Sequence, residues 1–273
     1  MSAVLTTVVG VECRINGVRL HYAERGSGVP VVALHGAGVD HREIEAAFEA
    51  IVPETGYRRI YPDLPGMGRS TTAGLASNED VVTLLGNFVD QLIGGPVLLA
   101  GHSYGAYLAR GVAARRPDQA LGLALVCPIG ERTGDVPDHE VVLHDAAAYD
   151  ELDPSQRAGF DEYFVVRTPA TARRYREHVA PARALVDETA LGRVFADWAV
   201  DVGSDPCRLP TLIAAGRRDS TAGYLDAIDL LQRYPRATLA VVEGAGHALM
   251  HERPELLAVL VADWLDRVRA HGD

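Results

Sequence analysis

A serine flanked by glycines is the residue of this chain best suited to attack a carbonyl group. Ser103 stands in the run Gly-His-Ser-Tyr-Gly at 101–105, after the apolar stretch 96–100 and before the helix-like stretch 106–115. A short strand, a sharp turn and a helix are the setting in which the pattern G-x-S-x-G exposes a nucleophile. Such a turn strains the serine and leaves no room for a Cβ on either glycine. We therefore predict a nucleophilic serine; the alternative is an ordinary strand-to-helix turn that matches the pattern by chance.

The start of the helix behind Ser103 offers backbone N–H groups that have no partner within the helix. The N–H of Tyr104 comes first among them and would face the place where negative charge develops on the carbonyl oxygen. The sequence therefore predicts that Tyr104 contributes a backbone donor to an oxyanion hole.

A general base and an acid that orients it are also required, because a serine hydroxyl is not ionised near neutral pH. Two later apolar stretches, 211–215 and 237–242, are each followed by a loop with a suitable residue. The first loop ends at Asp219 and the second at His247, which follows a glycine. In a parallel sheet both loops leave the edge that carries Ser103, and the chain order serine, aspartate, histidine is typical of that arrangement. We predict His247 as the base and Asp219 as the acid.

Other titratable side chains compete for these two roles. His251 lies one helical turn beyond the predicted base but lacks a glycine-flanked loop. Asp226 and Asp229 belong to the following helix and are expected to face solvent. Asp135 could serve only if the acid had moved to the end of the preceding strand.

Four polar residues near these loops are interpreted as structural. His35 and His102 are expected to hold loops near the site through ring hydrogen bonds. Asp63 and Arg69 lie in the segment Asp-Leu-Pro-Gly-Met-Gly-Arg-Ser at 63–70, where they are expected to cap and brace a turn.

Strands and helices alternate along the chain and must bring these loops together. The strands are predicted over residues 8–15, 18–23, 30–34, 57–61, 96–100, 120–126, 210–215 and 237–242. The helices are predicted over residues 40–52, 78–92 with Asn78 as N-cap, 106–115, 222–233 and 254–269. Asn-Gly at 16–17 is a strong signal for a hairpin between the first two strands. Right-handed crossovers then give a mostly parallel sheet covered by helices on both faces.

The alternation breaks between residues 131 and 205, where no strand is predicted and prolines separate helix-like segments. We interpret 131–205 as a helical cap inserted into a core made of 1–130 and 206–273; a second, independent domain is the alternative. An inserted cap would cover the carboxyl ends of the strands, where open α/β sheets bind ligands. Seven aromatic residues of this segment could line an apolar pocket, although packing onto the core is the favoured interpretation for each. They are Tyr149, Phe160, Tyr163, Phe164, Tyr175, Phe195 and Trp198.

Composition excludes several classes of function. The 273 residues are 48% hydrophobic and 23% charged, as in a globular protein. No apolar run approaches the roughly 20 residues that span a membrane. The formal net charge of -11 argues against binding to nucleic acid. All 26 basic residues are arginine, which excludes Schiff-base chemistry and a phosphate-binding P-loop lysine.

The three cysteines, Cys13, Cys127 and Cys207, are far apart and match no metal-binding spacing, so we expect free thiols. The first residues lack the basic region and cleavage site of a signal peptide. We therefore expect a cytoplasmic protein with no metal and no cofactor. Its partner would be a small-molecule substrate, with neither nucleic acid nor membrane involved and the oligomeric state left open.

Five motifs in order resemble the α/β-hydrolase fold superfamily over essentially the whole chain except the cap. They are His-Gly at 35–36, the segment 63–70, the serine turn at 101–105, Gly-Arg-Arg-Asp ending at Asp219, and Gly-His ending at His247. The resemblance implies an eight-stranded, mostly parallel α/β-hydrolase sheet flanked by helices, with an inserted helical cap. It also implies that the backbone N–H groups of Ala37 and Tyr104 form the oxyanion hole.

A serine nucleophile indicates acyl transfer, so we expect hydrolysis of a carboxylic ester, thioester or lactone of a small, largely apolar substrate. Members of the resembled family with the same triad cleave carbon–carbon bonds or remove N-terminal residues such as proline from peptides. A peptidase would need carboxylates of the cap to hold an ammonium group, and Glu162, Glu177 or Glu188 could do so. A noncatalytic receptor for a small ligand is the alternative from another class.

Overall fold

A mostly parallel sheet of eight strands forms the centre of the molecule. The computed structural model describes residues 11–130 and 136–272. The strands of this sheet are β1 (Val11–Ile15), β2 (Val18–Gly26), β3 (Val29–Leu34), β4 (Tyr57–Pro62), β5 (Val97–His102), β6 (Ala120–Val126), β9 (Thr211–Gly216) and β10 (Ala237–Val242). Two further strands, β7 (Leu143–His144) and β8 (Val166–Arg167), lie outside it. The strand order in the sheet is β1-β2-β4-β3-β5-β6-β9-β10. The pairs β1–β2 and β2–β4 are antiparallel and the others are parallel, so the predicted fold class is confirmed.

The Asn-Gly hairpin also forms as predicted. Asn16 and Gly17 both have positive φ, at 51° and 84°, between β1 and β2. Two successive residues of positive φ make a turn whose twist matches that of the flanking strands. The part of the predicted first strand at residues 8–10 lies outside the described residues.

Helices cover both faces of the sheet. On one face, Ile44 and Phe48 pack in a single cluster with Trp264 and strand residues such as Ala100. On the other face, Val82 and other helix residues pack against the strands in a second cluster. Most of the helix residues in these clusters come from α1 (His41–Ile51), α2 (Asn78–Leu92), α3 (Tyr104–Arg115), α8 (Leu225–Arg233), α9 (Leu249–Glu252) and α10 (Pro254–Gly272). Leu191 and Val194 of α7 (Glu188–Phe195) also belong to the second cluster.

The prediction that Asn78 caps α2 is wrong. Ser77 is the N-cap, and its hydroxyl accepts a hydrogen bond of 3.0 Å from the backbone N–H of Asp80. Asn78 is the first helical residue and is buried, and its side chain bonds to two distant residues. Its amide nitrogen donates to the carbonyl of Trp198 and its oxygen accepts from the hydroxyl of Tyr104.

The segment between β6 and β9 is built of short elements. The expectation of no strand here is wrong, because β7 (Leu143–His144) and β8 (Val166–Arg167) pair as two-residue parallel strands. A two-residue strand is too short for the alternation of apolar and polar residues to show in the sequence. The helices are α4 (Arg157–Tyr163), α5 (Pro169–Arg174), α6 (Ala180–Ala182) and α7 (Glu188–Phe195), with 3₁₀ turns at Ala146–Glu151 and Pro154–Gln156 and a π-helical turn at Tyr175–Val179. The division into core and cap stays a prediction.

Five of the seven aromatic residues of this segment pack on one another. Phe160, Phe164 and Tyr175 are buried in a third apolar cluster, and Tyr149 and Tyr163 pack against it. The cluster includes Ala248, next to the predicted base, so it also fixes the segment to the end of the sheet. Among the helices that the structure describes, none combines the length and apolar character needed to cross a bilayer.

Candidate active site

Ser103 occupies a strained turn between β5 and α3. Its φ of 53° and ψ of -118° lie outside the regions that residues with a Cβ ordinarily adopt. A Cβ on Gly101 would collide with the backbone of Gly105, and one on Gly105 would collide with the carbonyl of Leu34. The glycines are therefore required by the close approach of helix and strands, as the sequence predicted. The backbone N–H of Ser103 is held by the carbonyl of Val126 at 2.9 Å.

Asp219 and His247 are joined at the same edge of the sheet. Oδ2 of Asp219 lies 2.8 Å from Nδ1 of His247. Its other oxygen accepts backbone hydrogen bonds from Thr221 and Ala222 at 2.9 and 2.8 Å. The carboxylate is buried, and both of its oxygens are fixed before any substrate arrives.

Burial and charge act in opposite directions on this pair. Burial alone would raise the pKa of Asp219, but the charge and hydrogen bond of His247, with the two backbone donors, outweigh it and lower the pKa. Burial alone would lower the pKa of His247, but the charge and hydrogen bond of Asp219 outweigh it and raise the pKa above 6.5. Each group therefore favours the charged form of the other.

His35 and His102 hold loops through their rings, as predicted. Nε2 of His35 accepts from the N–H of Leu64 at 2.8 Å, so Nδ1 carries the proton that is donated to the carbonyl of Gly36. Nε2 of His102 lies 3.0 Å from the carbonyl of His247 and must be its donor, since a carbonyl only accepts. Burial lowers the pKa of His102 to about 4, so the ring is neutral near pH 7 and Nδ1 keeps its lone pair.

A cavity of about 360 Å³ lies above these residues and is lined by both Ser103 and His247. Within the described ranges the serine hydroxyl makes no hydrogen bond to the histidine ring; such bonds are often loose until substrate binds. Ala37 and Tyr104 line the same cavity. Neither of their backbone N–H groups donates to another described residue, so both can donate a hydrogen bond to a ligand oxygen.

Three of the seven aromatic residues line this cavity. Tyr163, Phe195 and Trp198 contribute to its wall, and Trp198 also stacks on Tyr107 with ring centroids 5.5 Å apart. Lining the pocket and packing onto the core are thus not exclusive for Trp198. The wall is apolar apart from a few polar groups, as in sites for small organic ligands.

Two buried glutamates beside the site were missed by the sequence analysis. Glu43 lines the cavity, and Glu252 accepts three backbone hydrogen bonds, from Val165, Val166 and Gly246 at 2.7, 3.0 and 2.7 Å. Glu43 lies on the buried face of α1, four residues before the buried Ala47. An acidic residue at a position where the helix repeat expects an apolar one was the sequence signal for Glu43. The sequence carries no comparable signal for Glu252.

Of the rivals for the two catalytic roles, the structure describes His251, Asp226 and Asp229. His251 is buried, and its Nε2 lies 3.8 Å from Oε1 of Glu43. Asp226 and Asp229 line a separate groove on α8, where Asp229 is exposed and Asp226 is half-buried. Asp135 lies outside the described residues.

Asp63 braces its turn through four hydrogen bonds. Its oxygens accept from the backbone of His41 and Arg69, and they contact Nδ1 of His41 and of His21 at 2.6 and 2.9 Å. Arg69 takes part through its backbone. Among residues 11–130 and 136–272, two groups of side chains have potential metal-ligand atoms within 4.8 Å of one another, namely His21, His41 and Asp63, and His102, Cys127 and His247. In both groups, ring nitrogens already serve the hydrogen bonds described above.

Comparison with known proteins gives consistent matches. Residues 31–260 match the sequence family described as Alpha/beta hydrolase family. The chain is 28% identical to (E)-2-((N-methylformamido)methylene)succinate hydrolase of Acinetobacter baylyi over 92% of this chain and 95% of that protein. It is 26% identical to 2-hydroxymuconate semialdehyde hydrolase of a Pseudomonas species over 94% of each. A crystal structure of an alpha/beta superfamily hydrolase from Oenococcus oeni superposes with a TM-score of 0.84 at 26% identity, over 92% of this chain and 96% of that one.

Proposed function

Because the chain belongs to the alpha/beta hydrolase family, we propose that it is a serine hydrolase that forms an acyl-enzyme on Ser103. Its substrate is a carboxylic ester, thioester or lactone that is small and largely apolar. The observation that carries this proposal is the buried Asp219–His247 pair, joined at 2.8 Å, at the cavity that holds the strained serine.

Attack begins with proton transfer from serine to histidine. Nε2 of His247 takes the proton from the hydroxyl of Ser103 as its oxygen bonds to the substrate carbonyl. Asp219 holds the tautomer in which Nδ1 carries a proton and stabilises the imidazolium that forms. The free N–H groups of Ala37 and Tyr104 receive the oxyanion, and such donors are worth about 3 to 4 kcal/mol each in the barrier.

Collapse of the tetrahedral intermediate expels the alcohol or thiol, which takes the proton held by His247. Water then attacks the acyl-enzyme with the same histidine as base, and the carboxylic acid leaves. These steps require no metal and no organic cofactor. We also assign to the segment after β6 the role of a cap, because its Tyr163, Phe195 and Trp198 line the cavity together with Ser103 and His247.

A fluorophosphonate probe tests the nucleophile. We expect a covalent adduct on Ser103, located by mass spectrometry of the digested protein, and no adduct in Ser103→Ala. Ser155→Ala, which removes an exposed serine hydroxyl far along the chain, serves as the matched control and should be labelled like the native protein. A folded native protein that stays unlabelled, or that is labelled at another serine, would contradict the proposal.

A substrate panel separates acyl transfer from its alternatives. It contains p-nitrophenyl esters, a thioester, a lactone, a vinylogous diketone and a proline amide. Because one relative is named 2-hydroxymuconate semialdehyde hydrolase, that compound joins the panel. Turnover of esters that depends on Ser103 supports the proposal, whereas turnover of the diketone or semialdehyde alone would favour carbon–carbon bond cleavage.

A further inference from the structure

Glu43 is a charged side chain buried at the wall of the active-site cavity. Its residue is 1% exposed and lines the same cavity as Ser103. Burial alone would raise the pKa of this carboxyl, but the neighbouring imidazole of His251, with His102 and the hydroxyl of Tyr163, outweighs burial and lowers the pKa to about 2. The group is therefore a carboxylate at any pH at which the enzyme would work.

Only one oxygen of this carboxylate has a hydrogen-bond partner. Oε1 accepts from the hydroxyl of Tyr163 at 2.6 Å and faces Nε2 of His251 at 3.8 Å. Oε2 is buried and bonds to none of the residues that the structure describes. Leaving a buried acceptor without a partner is unfavourable, and more so when the group is charged, so this atom needs a donor.

A second unpaired acceptor lies at the same wall. Nδ1 of His102 is buried and has no partner within residues 11–130 and 136–272. The hydrogen bond of Nε2 to the carbonyl of His247 fixes the tautomer, so Nδ1 offers a lone pair. A Cβ atom placed on Gly36 would lie 3.1 Å from this nitrogen and 3.5 Å from Cβ of Ser103. The lone pair of Nδ1 is therefore near the predicted nucleophile.

Both unpaired atoms accept hydrogen bonds, and one carries negative charge. A neutral apolar substrate satisfies neither of them, and a substrate carboxylate would be repelled. A protonated amine has several N–H donors and a positive charge, and so answers both needs. We propose that Glu43 and His102 form an ammonium subsite, so that the substrate carries a protonated amine near its scissile bond. This assignment rests on the proposed serine hydrolase activity.

The subsite differs from the acidic residues considered from the sequence. Glu162 also lines the cavity, but its side chain is 75% exposed and faces Arg183 at 3.8 Å, so water screens it. Glu177 pairs with Arg176 at 2.9 Å on the surface. Glu162 is thus a matched control for Glu43. Both are glutamates that line the same cavity, but Glu43 is buried and Glu162 is exposed.

The test is a series of p-nitrophenyl esters that differ only in the end of the acyl chain. The amino acids glycine, β-alanine and ε-aminocaproate are each compared with the fatty acid that has a methyl group in place of the ammonium. Hydroxyl-ended and carboxylate-ended analogues, such as the ε-hydroxycaproate and adipate monoesters, complete the series. Acetates of ω-amino alcohols and of the matched alkanols place the ammonium on the leaving-group side.

We expect the native enzyme to prefer ammonium over methyl about tenfold or more in kcat/KM for at least one spacer, as for a charge-assisted hydrogen bond. In Glu43→Gln this ratio should fall to within about threefold of unity, because the amide keeps the shape and loses the charge. In Glu162→Gln the ratio should stay within about twofold of the native value. The ratio within each variant is insensitive to differences in the amount of active protein.

Four results would overturn the subsite: methyl ends preferred on both sides of the ester, hydroxyl ends preferred over ammonium, carboxylate ends preferred, or an unchanged ratio in Glu43→Gln. The native enzyme alone decides the first three if Glu43→Gln does not fold. Turnover of the methyl-ended esters that is lost in Ser103→Ala keeps the serine hydrolase proposal while the subsite fails. Absence of all turnover, with no fluorophosphonate adduct, rejects both.

Discussion

Two buried carboxylates near the active site have opposite surroundings: Glu43 lines the cavity, and Asp219 contacts the ring of His247, which lines it. Asp219 accepts two backbone hydrogen bonds and one from His247, so both of its oxygens are occupied. Glu43 has one oxygen bonded to Tyr163 and one that bonds to none of the described residues. A carboxylate whose hydrogen bonds are all made within the protein can orient a neighbouring ring, whereas one with an unpaired oxygen keeps an acceptor for a ligand. Burial of a carboxylate near a cavity therefore does not by itself show whether it orients another side chain or binds a ligand. The number of its hydrogen-bond partners shows this.

Asp219→Asn should produce the largest change. The amide keeps the size of the side chain but can donate to Nδ1, which favours the wrong histidine tautomer, so kcat should fall about 10⁴-fold for every ester. Steady-state kinetics over the ester series measures it. The loss should be equal for ammonium-ended and methyl-ended esters, unlike that in Glu43→Gln. Asp229→Asn, on the exposed face of α8, is the control. A loss below about tenfold would contradict the role of Asp219.

The pH dependence of kcat/KM reports the charge around His247. The neutral ring is the base, and Asp219, with added effects of Glu43 and Glu252, raises its pKa above 6.5. Activity on a methyl-ended ester should therefore be full above this pKa and fall about tenfold per pH unit below it. A rate profile from pH 5 to 9 measures the midpoint. A flat profile down to pH 5 would remove His247 from the role of base.

Glu252→Gln should destabilise the loop that carries His247. The carboxylate accepts from the N–H groups of Val165, Val166 and Gly246, and an amide nitrogen cannot accept the bond it replaces. We expect the free energy of unfolding to fall by about 1 to 3 kcal/mol. Thermal unfolding should show it as a Tm lowered by about 2 to 4 °C per kcal/mol for a domain of this size.

A matched control for this variant is Glu255→Gln, which changes an exposed glutamate in the first turn of α10. Its effect should stay within about 1 kcal/mol, the range for a charge at a helix start. Equal Tm values for the two variants would mean that the three backbone bonds to Glu252 do not stabilise the fold.

Tyr163→Phe should have the smallest effect and bears on the open carboxylate. The change removes the hydroxyl that donates to Oε1 of Glu43, so both oxygens then lack a hydroxyl donor. We expect a loss of about 1 to 2 kcal/mol in the free energy of unfolding and a higher pKa of Glu43, because this hydrogen bond favours its ionised form. Chemical denaturation measures the first. The control is Tyr149→Phe, which breaks a hydroxyl bond to Asp161 at the surface. If Tyr163→Phe is as stable as Tyr149→Phe, the hydrogen bond from Tyr163 to Glu43 does not stabilise the fold.

Local sequence patterns predicted much of the fold because their causes are local. The strand at residues 120–126 and the strand at 237–242 have the predicted bounds, since apolar runs ended by turn residues mark them. The N-cap of α2 was misplaced by one residue because Ser77 and Asn78 are both good caps, and contacts with Tyr104 and Trp198 took the asparagine away. Where two neighbouring residues can both cap a helix, the N-cap is the one whose side chain is not engaged in tertiary contacts.

By itself, the sequence determined the succession of strands and helices outside residues 131–205, the strained serine turn and the loops that carry Asp219 and His247. Each depends on residues within a few positions of one another, and the parallel sheet then brings the strand ends to one edge. Only the tertiary structure decided the surroundings of Glu43. Its bond to Tyr163 joins residues 120 positions apart, and whether its second oxygen finds a donor depends on the residues packed around it. Burial of a charge and satisfaction of its hydrogen bonds are properties of distant neighbours, which no local pattern contains.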